Sequence, residues 1–329
     1  MISIREVAKL AGVSPSTVSR VMNGTANVND EKRQKVEKVI SETGFKPNEA
    51  ARTLYKKSAH IIGVIVPNIE NPFFNAMAKA IEEEAYNNGY RLTLCNSDNN
   101  LEKEKNSIEL LGRMNADGII LLTNQEGLSE EIRQCKIPVV AIDRQVKISN
   151  EVACIESNHY MGGRAAMEHL IACGCKNIVN MQAPQDLSSA RQRYQGYLDV
   201  CKEHGITPCS VPCKYAFQDG LKQTEFLLEK YPKTDGILAA NDMVAISAYK
   251  VLHKMGRRVP EDVQVIGFDN INLSSLVTPE ITTVAQPIQE MGTAAVTILL
   301  DYLNGKTVEK RNVFDVELIV RETTRQKIN

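Results

Sequence analysis

The chain has 329 residues, 43% hydrophobic and 24% charged, with a net charge of −1. That length predicts two or three folding units, and no apolar run reaches the roughly 18 residues that a membrane-spanning helix needs. The eight cysteines (95, 135, 154, 173, 175, 201, 209, 213) form no Cys-x-x-Cys pair and have no histidine at zinc-ligand spacing, so free thiols, no metal and no cofactor are expected.

The small net charge hides an asymmetry. Residues 1–60 hold 11 Lys/Arg against 6 Asp/Glu, whereas residues 61–329 hold 28 against 34. A basic head on an acidic body suits a protein whose head alone meets phosphate. The N-terminus MISIREVAKLAGVS is broken by Arg5, Glu6 and Lys9. It lacks the apolar core of a secretory signal, which predicts a cytoplasmic protein.

Three short helices are predicted first. Ser3 caps one with Ile4, Val7, Ala8 and Leu10 on its apolar face, ended by Gly12. Ser14 caps a second with Pro15 at its first position, where a missing N–H costs least. It runs to Met22 and stops at Asn23-Gly24. Asn29 or Asp30 caps a third, with Val36, Val39 and Ile40 at core spacing and Gly44 at its end. Two short helices joined by a glycine turn, with a supporting third, form a helix-turn-helix plan. The second helix exposes small or polar residues, Ser16, Thr17, Ser19, Arg20 and Asn23. An ordinary solvated face favours Glu and Lys. Small side chains instead let a helix lie deep in a major groove, where Arg20 reaches guanine or phosphate.

From Asn48 to Lys56 only about two helical turns are possible, below the ~12–15 residues at which isolated helices become marginal. From about residue 60, strands alternate with helices. Apolar runs at 61–66, 91–95, 118–122 and 139–142, then 177–181, 236–240 and 263–268, alternate with helical stretches at 73–88, 102–114, 161–173, 191–204, 219–230 and 243–255. This predicts parallel sheets covered on both faces, in two similar lobes. Ligands in such folds bind beyond the C-terminal strand ends. Asn71-Pro72-Phe73-Phe74, Asp143-Arg144, Arg191, Phe217, Asn241, Phe268-Asp269 and Gln286 gather there. Aromatic rings for C–H faces, with carboxylates, amides and guanidiniums for a hydroxyl rim, are the inventory for a monosaccharide.

IREVAKLAGVSPSTVSRVMNG, with PNEAARTL at 47–54, closely resembles the DNA-reading head and hinge of the lactose-repressor family. The core from about 60 to 325 also resembles periplasmic sugar-binding proteins. The resemblance implies an all-α head (1–46), a hinge (47–58) and an effector-binding, dimerising α/β core (59–329) of two Rossmann-like lobes. Its first lobe would hold about 59–158 and 290–318, and its second about 159–289 and 319–329. Pro15, Ser16, Thr17, Arg20 and Asn23 would meet operator DNA, joined by Asn48, Ala51, Leu54, Tyr55 and Lys56 of the hinge. Leu54 would wedge between base pairs in the minor groove. Pro15-Ser16 stands where many relatives carry larger base-reading side chains, which leaves the operator sequence open.

The pocket resembles the ribose-binding type at Asn71, Phe73, Phe74, Asp143, Arg144, Arg191, Phe217, Asn241, Phe268, Asp269 and Gln286. A sugar-controlled repressor is thus implied, with ribose as effector and a homodimer on a palindromic operator. Another sugar, a sugar acid or a phosphocarrier protein are the alternatives within the family. A transport carrier would explain the core but not residues 1–57. No Walker loop, HExxH, GxSxG or GxGxxG motif occurs, so no enzyme is expected.

Overall fold

The computed structural model describes residues 2–22, 24, 28–45, 58–123, 128–143 and 152–326. They fall into two compact units, Met1–Ala59 and His60–Asn329.

The smaller unit holds α1 (Ile4–Ala11), α2 (Pro15–Met22) and α3 (Asp30–Thr43). Ser3 and Glu6 close a reciprocal capping box, which satisfies two N–H groups that the first turn leaves orphaned. Gly12, at φ 64°, ends α1 in the left-handed conformation that glycine adopts without strain. Asn29, rather than Asp30, caps α3 through the Glu31 N–H. Val7, Ala8, Ala11, Val18, Val36 and Phe45 form the core. Leu10, predicted on that apolar face, is exposed. At about 100° per residue, positions 4, 7, 8 and 11 share a face and position 10 points away.

The larger unit begins with β1 (Ile61–Val66), α4 (Pro72–Asn87), β2 (Arg91–Asn96), α5 (Leu101–Arg113) and β3 (Gly118–Leu121). α6 (Ser129–Cys135), β4 (Val139–Ile142) and β5 (Ala153–Ser157) complete this pass. The second pass is α7 (His159–Ala172), β6 (Ile178–Gln182), α8 (Ser188–Glu203), β7 (Ser210–Pro212) and α9 (Phe217–Lys230). It continues through β8 (Gly236–Leu238), α10 (Asp242–Lys254), β9 (Gln264–Asp269), a 3-10 turn (Asn272–Ser275) and β10 (Thr282–Ala285). The chain then returns to the first lobe with α11 (Ile288–Leu303) and β11 (Arg311–Phe314), and closes the second with β12 (Glu317–Ile319).

The sheets run β11-β5-β4-β3-β1-β2 and β12-β10-β9-β8-β6-β7. Their strand pairs are parallel except β10–β12, which is antiparallel. That last pairing puts residues 317–319 in the second lobe, so the chain crosses at 315–316, slightly before the boundary at 318 read from sequence. Helices cover both faces of each sheet. In β1, Ile62, Val64 and Val66 pack under α4 and α11, while Ile65 packs under α5 and α6. This two-sided burial explains the near-continuous apolar run.

Three crossovers join the lobes, after β5, β10 and β11, and they are bonded to one another. Asn158 N donates to Phe314 O at 2.8 Å, and Ser157 Oγ donates to Gln286 Oε1 at 2.8 Å. Among the described residues no helix is long and apolar enough to cross a membrane.

Candidate effector site and DNA-reading head

The ends of β1 and β4 supply the first wall. Asn71 caps α4, its Oδ1 accepting from Phe73 N at 3.1 Å, with Pro72 in the position that tolerates a missing N–H. This start delivers Phe73 and Phe74 to the cleft, rings edge-on at 5.2 Å. Asp143 follows β4 with φ 68°, held by its N–H to Ile155 O at 2.7 Å.

The opposite wall depends on how α7 and α8 cross. A Cβ on Gly163 would lie 2.1 Å from Arg193 O, and one on Gly196 would lie 2.3 Å from Tyr160 O. The two backbones therefore touch, which only glycine permits. Arg193 is fixed beside the start of α7 by this contact. Its Nη1 donates to Ala240 O at 3.1 Å, and its guanidinium lies 3.5 Å from the centre of the Phe268 ring. Its Nη2 is 3.6 Å from Asp269 Oδ1, which accepts from Gln286 Nε2 at 2.7 Å. Asn241 caps α10 through Val244 N at 3.0 Å.

Between the walls is a cavity of about 70 Å³, lined by Asn71, Phe73, Phe74, Asp143, Arg193, Asn241, Asp269 and Gln286 with Asn68, Asn99, Ser189 and Tyr215. It has room for several water molecules. Burial pushes the Asp269 carboxyl up to about 8, against the lowering influence of Arg193. Burial also raises Asp242 to about 6, offset in part by Ser274, Thr283 and the Ile271 N–H. Those bonds make Asp242 a structural node that ties the 3-10 turn and β10 to the start of α10. Ser189 Oγ is buried without a hydrogen-bond partner. A buried hydroxyl in that state costs about 1–3 kcal/mol, which a ligand hydroxyl would relieve. The cap bonds use the Asn71 and Asn241 oxygens and leave their N–H₂ groups to donate. Among the described residues no three His, Cys, Asp or Glu side chains gather as metal ligands.

The structure brings Asn71, Phe73, Phe74, Asp143, Asn241, Asp269 and Gln286 together at the cavity. It corrects three other placements. Arg191 is exposed, donating to the Gln185 and Asp186 carbonyls at 2.8 and 2.7 Å. Two residues along a helix turn about 200°, so Arg193, one turn after Ser189, is the arginine that faces inward. Phe217 opens α9 with Lys250 Nζ 5.5 Å from its ring centre, and Tyr215 takes the wall. Phe268 is buried behind Arg193 as its platform. Arg144 lies outside the described residues. Ser189 and Arg193 are reached only through the helix crossing, and Asn68, Asn99 and Tyr215 sit outside helices and strands, so no sequence pattern singles them out.

In the head, Pro15, Ser16 and Arg20 are exposed along α2, and Thr17 is half-buried. Ser14 Oγ accepts from Thr17 N at 3.2 Å and contacts the Ser16 and Thr17 hydroxyls, which fixes the helix start. Asn23, Asn48, Ala51, Leu54, Tyr55 and Lys56 lie outside the described residues.

Comparison with known proteins agrees with both units. Residues 3–48 match the model of bacterial regulatory proteins, lacI family, and residues 167–324 match a periplasmic binding protein-like domain. The ribose operon repressor of Halalkalibacterium halodurans is 38% identical over 326 residues, covering 99% of this chain and 98% of that one. The chain belongs to the lacI family. It is therefore a DNA-binding transcription regulator rather than an enzyme.

Solved members of the family show the same architecture. A periplasmic binding protein/LacI transcriptional regulator from Alkaliphilus metalliredigens, complexed with D-xylulofuranose, is 35% identical with a TM-score of 0.75, covering 81% of this chain and 100% of that one. The lac repressor dimer bound to operator and the anti-inducer ONPF is 27% identical with a TM-score of 0.86, covering 98% of each chain.

Proposed function

We propose that the cavity binds a single free pentose, D-ribose, and that its occupancy sets the affinity of the head for operator DNA. The observation that carries this reading is the lining itself. Phe73 and Phe74 offer apolar faces, while Asp143, Asp269, Arg193, Asn71, Asn241 and Gln286 surround them with donors and acceptors. Each sugar hydroxyl donates once and accepts twice, and such a rim satisfies both roles. A cavity of about 70 Å³ suits one small ring better than a disaccharide or nucleotide. The ribose operon repressor at 38% identity supports the same choice.

A homodimer on a palindromic operator in the cytoplasm completes the reading, because one head reads only half a site. Asn48, Ala51, Leu54, Tyr55 and Lys56 are assigned to the minor groove in that complex. Leu54→Ala should weaken specific operator binding in fluorescence anisotropy and leave ribose affinity unchanged.

Thermal shift with pentoses, hexoses, sugar acids, D-xylulose and a phosphorylated carrier protein tests the effector. Ligand at 100 times its Kd adds about 2.7 kcal/mol, a readily visible shift. Stabilisation by ribose, with a change in operator affinity, is expected. A response to D-xylulose alone would favour the ketose held by the 35% identical relative. A response to the phosphocarrier alone would overturn the sugar reading.

A further inference from the structure

We propose that His159, which does not line the cavity, is a positioning residue for effector recognition: its neutral Nε2–H tautomer holds Asp143 of the first lobe and Arg193 of the second where the sugar meets them. The inference rests on the cavity being the effector site. His159 is the first residue of α7, directly after the first crossover, and is fully buried. Its Nε2 is 2.9 Å from Asp143 Oδ1, and its Nδ1 accepts from Arg193 Nε at 3.3 Å.

Donor bookkeeping assigns the tautomer. The Arg193 Nε–H only donates and stays protonated, so His159 Nδ1 must present its lone pair. The ring proton is then on Nε2, the nitrogen that lies 2.9 Å from Asp143 Oδ1. One imidazole joins two cavity-lining side chains from opposite lobes. A protonated ring would set N–H against N–H at Nδ1 and place a second positive charge beside the guanidinium.

The ring is also braced. Its centroid is 5.9 Å from that of Phe268, the same ring that carries Arg193. Among the described residues, the charged groups around His159 are Asp143 at the end of β4 and Arg193 on α8, with Asp269 at the end of β9 and Asp242 at the start of α10 beyond Arg193. Asp143, and more distantly Asp242, favour the imidazolium. Arg193, complete burial and the positive end of α7 oppose it.

Calorimetric titration of full-length protein with D-ribose from pH 7.5 to 5.5 tests the bracket, using wild type, His159→Phe and His159→Gln. Phe removes both contacts and should raise Kd about 10- to 100-fold at pH 7.5, the scale of leaving two buried polar groups unmatched. Gln supplies one donor and one acceptor without titrating and should recover most of that loss. Wild type should weaken more steeply than His159→Gln as pH falls. The acid loss belonging to Asp269 is common to both.

Nitrogen NMR of the imidazole should show Nε2 protonated and Nδ1 bare at pH 7.5. A ring protonated at Nδ1 would overturn the proposal. Identical pH profiles for wild type and Gln, or a Phe variant that melts normally and binds ribose like wild type, would do the same. If wild type binds no sugar at all, the effector assignment fails, and the NMR result still judges the tautomer separately.

Discussion

Arginine choice gives the sharpest test of the site. Arg193→Ala removes a guanidinium that donates to Ala240 O, faces Asp269 and lies on Phe268. A hydrogen bond from a charged group contributes about 1.5–3 kcal/mol, and a desolvated cation–π contact about 2 kcal/mol. Loss of one such interaction with the bound sugar, about 2–3 kcal/mol, raises Kd about 30- to 140-fold at ~1.4 kcal/mol per decade. Arg191→Ala removes two bonds from an exposed side chain to loop carbonyls, a surface change worth within about 0.5 kcal/mol. Calorimetry with D-ribose reads both variants, melting curves check the fold, and operator anisotropy without sugar should match wild type. Full ribose binding by Arg193→Ala, or its loss in Arg191→Ala, would refute the assignment of the inward face of α8.

Three further outcomes follow from packing, helix propensity and capping. Gly163→Val drives a side chain into the Arg193 carbonyl and should cost at least about 3 kcal/mol, the upper range of overpacking, seen as a lower urea midpoint. Gly112→Ala, with nothing within 4 Å of its added Cβ, should instead add about 0.5–1 kcal/mol. Ser14→Ala removes the bond to Thr17 N and should destabilise the head by about 1 kcal/mol. Faster amide exchange confined to α1–α3 would register it.

The fold was legible because its signals are local and repeated. Apolar strand runs, glycine stops and asparagine caps recur along the chain. Four helices start one or two residues before their apolar period, because Asn71, Asn100, Asn158 and Asn241 cap them there. β5 carries no apolar run to mark it as a strand, because its buried Glu156 pairs with Arg311 on a strand that returns 155 residues later. At the site, residues attached to strand ends were readable, since β-strands deliver their last residue to a known edge. Residues chosen by helix rotation or turn geometry were not. Arg191 and Arg193 differ only in azimuth, and that is set by the Gly163–Gly196 crossing, a contact between helices that no single window of sequence contains.

Asp269 is a strained residue whose proposed contact with the sugar would account for the strain. Its φ of 108° is unusual for a non-glycine residue and costs about 1–3 kcal/mol. Its carboxyl is buried, with a pKa near 8 against about 3.9 when unfolded. Between those values the folded state holds one proton more than the unfolded state. Stability is therefore full below the unfolded value and declines as pH rises toward 8, by up to about 1.4 kcal/mol per pH unit. Sugar hydroxyls donate to the ionised form, so ribose binding should release a proton and tighten as pH climbs to about 8. Asp269→Asn keeps a residue tolerant of positive φ and removes the charge. It should melt at or above wild type at pH 8, bind ribose at least tenfold more weakly and release no proton, measured by calorimetry in buffers of different ionisation enthalpy. An Asn variant that melts several degrees lower, or still releases the proton, would show that Asp269 is held for the fold and not for the ligand.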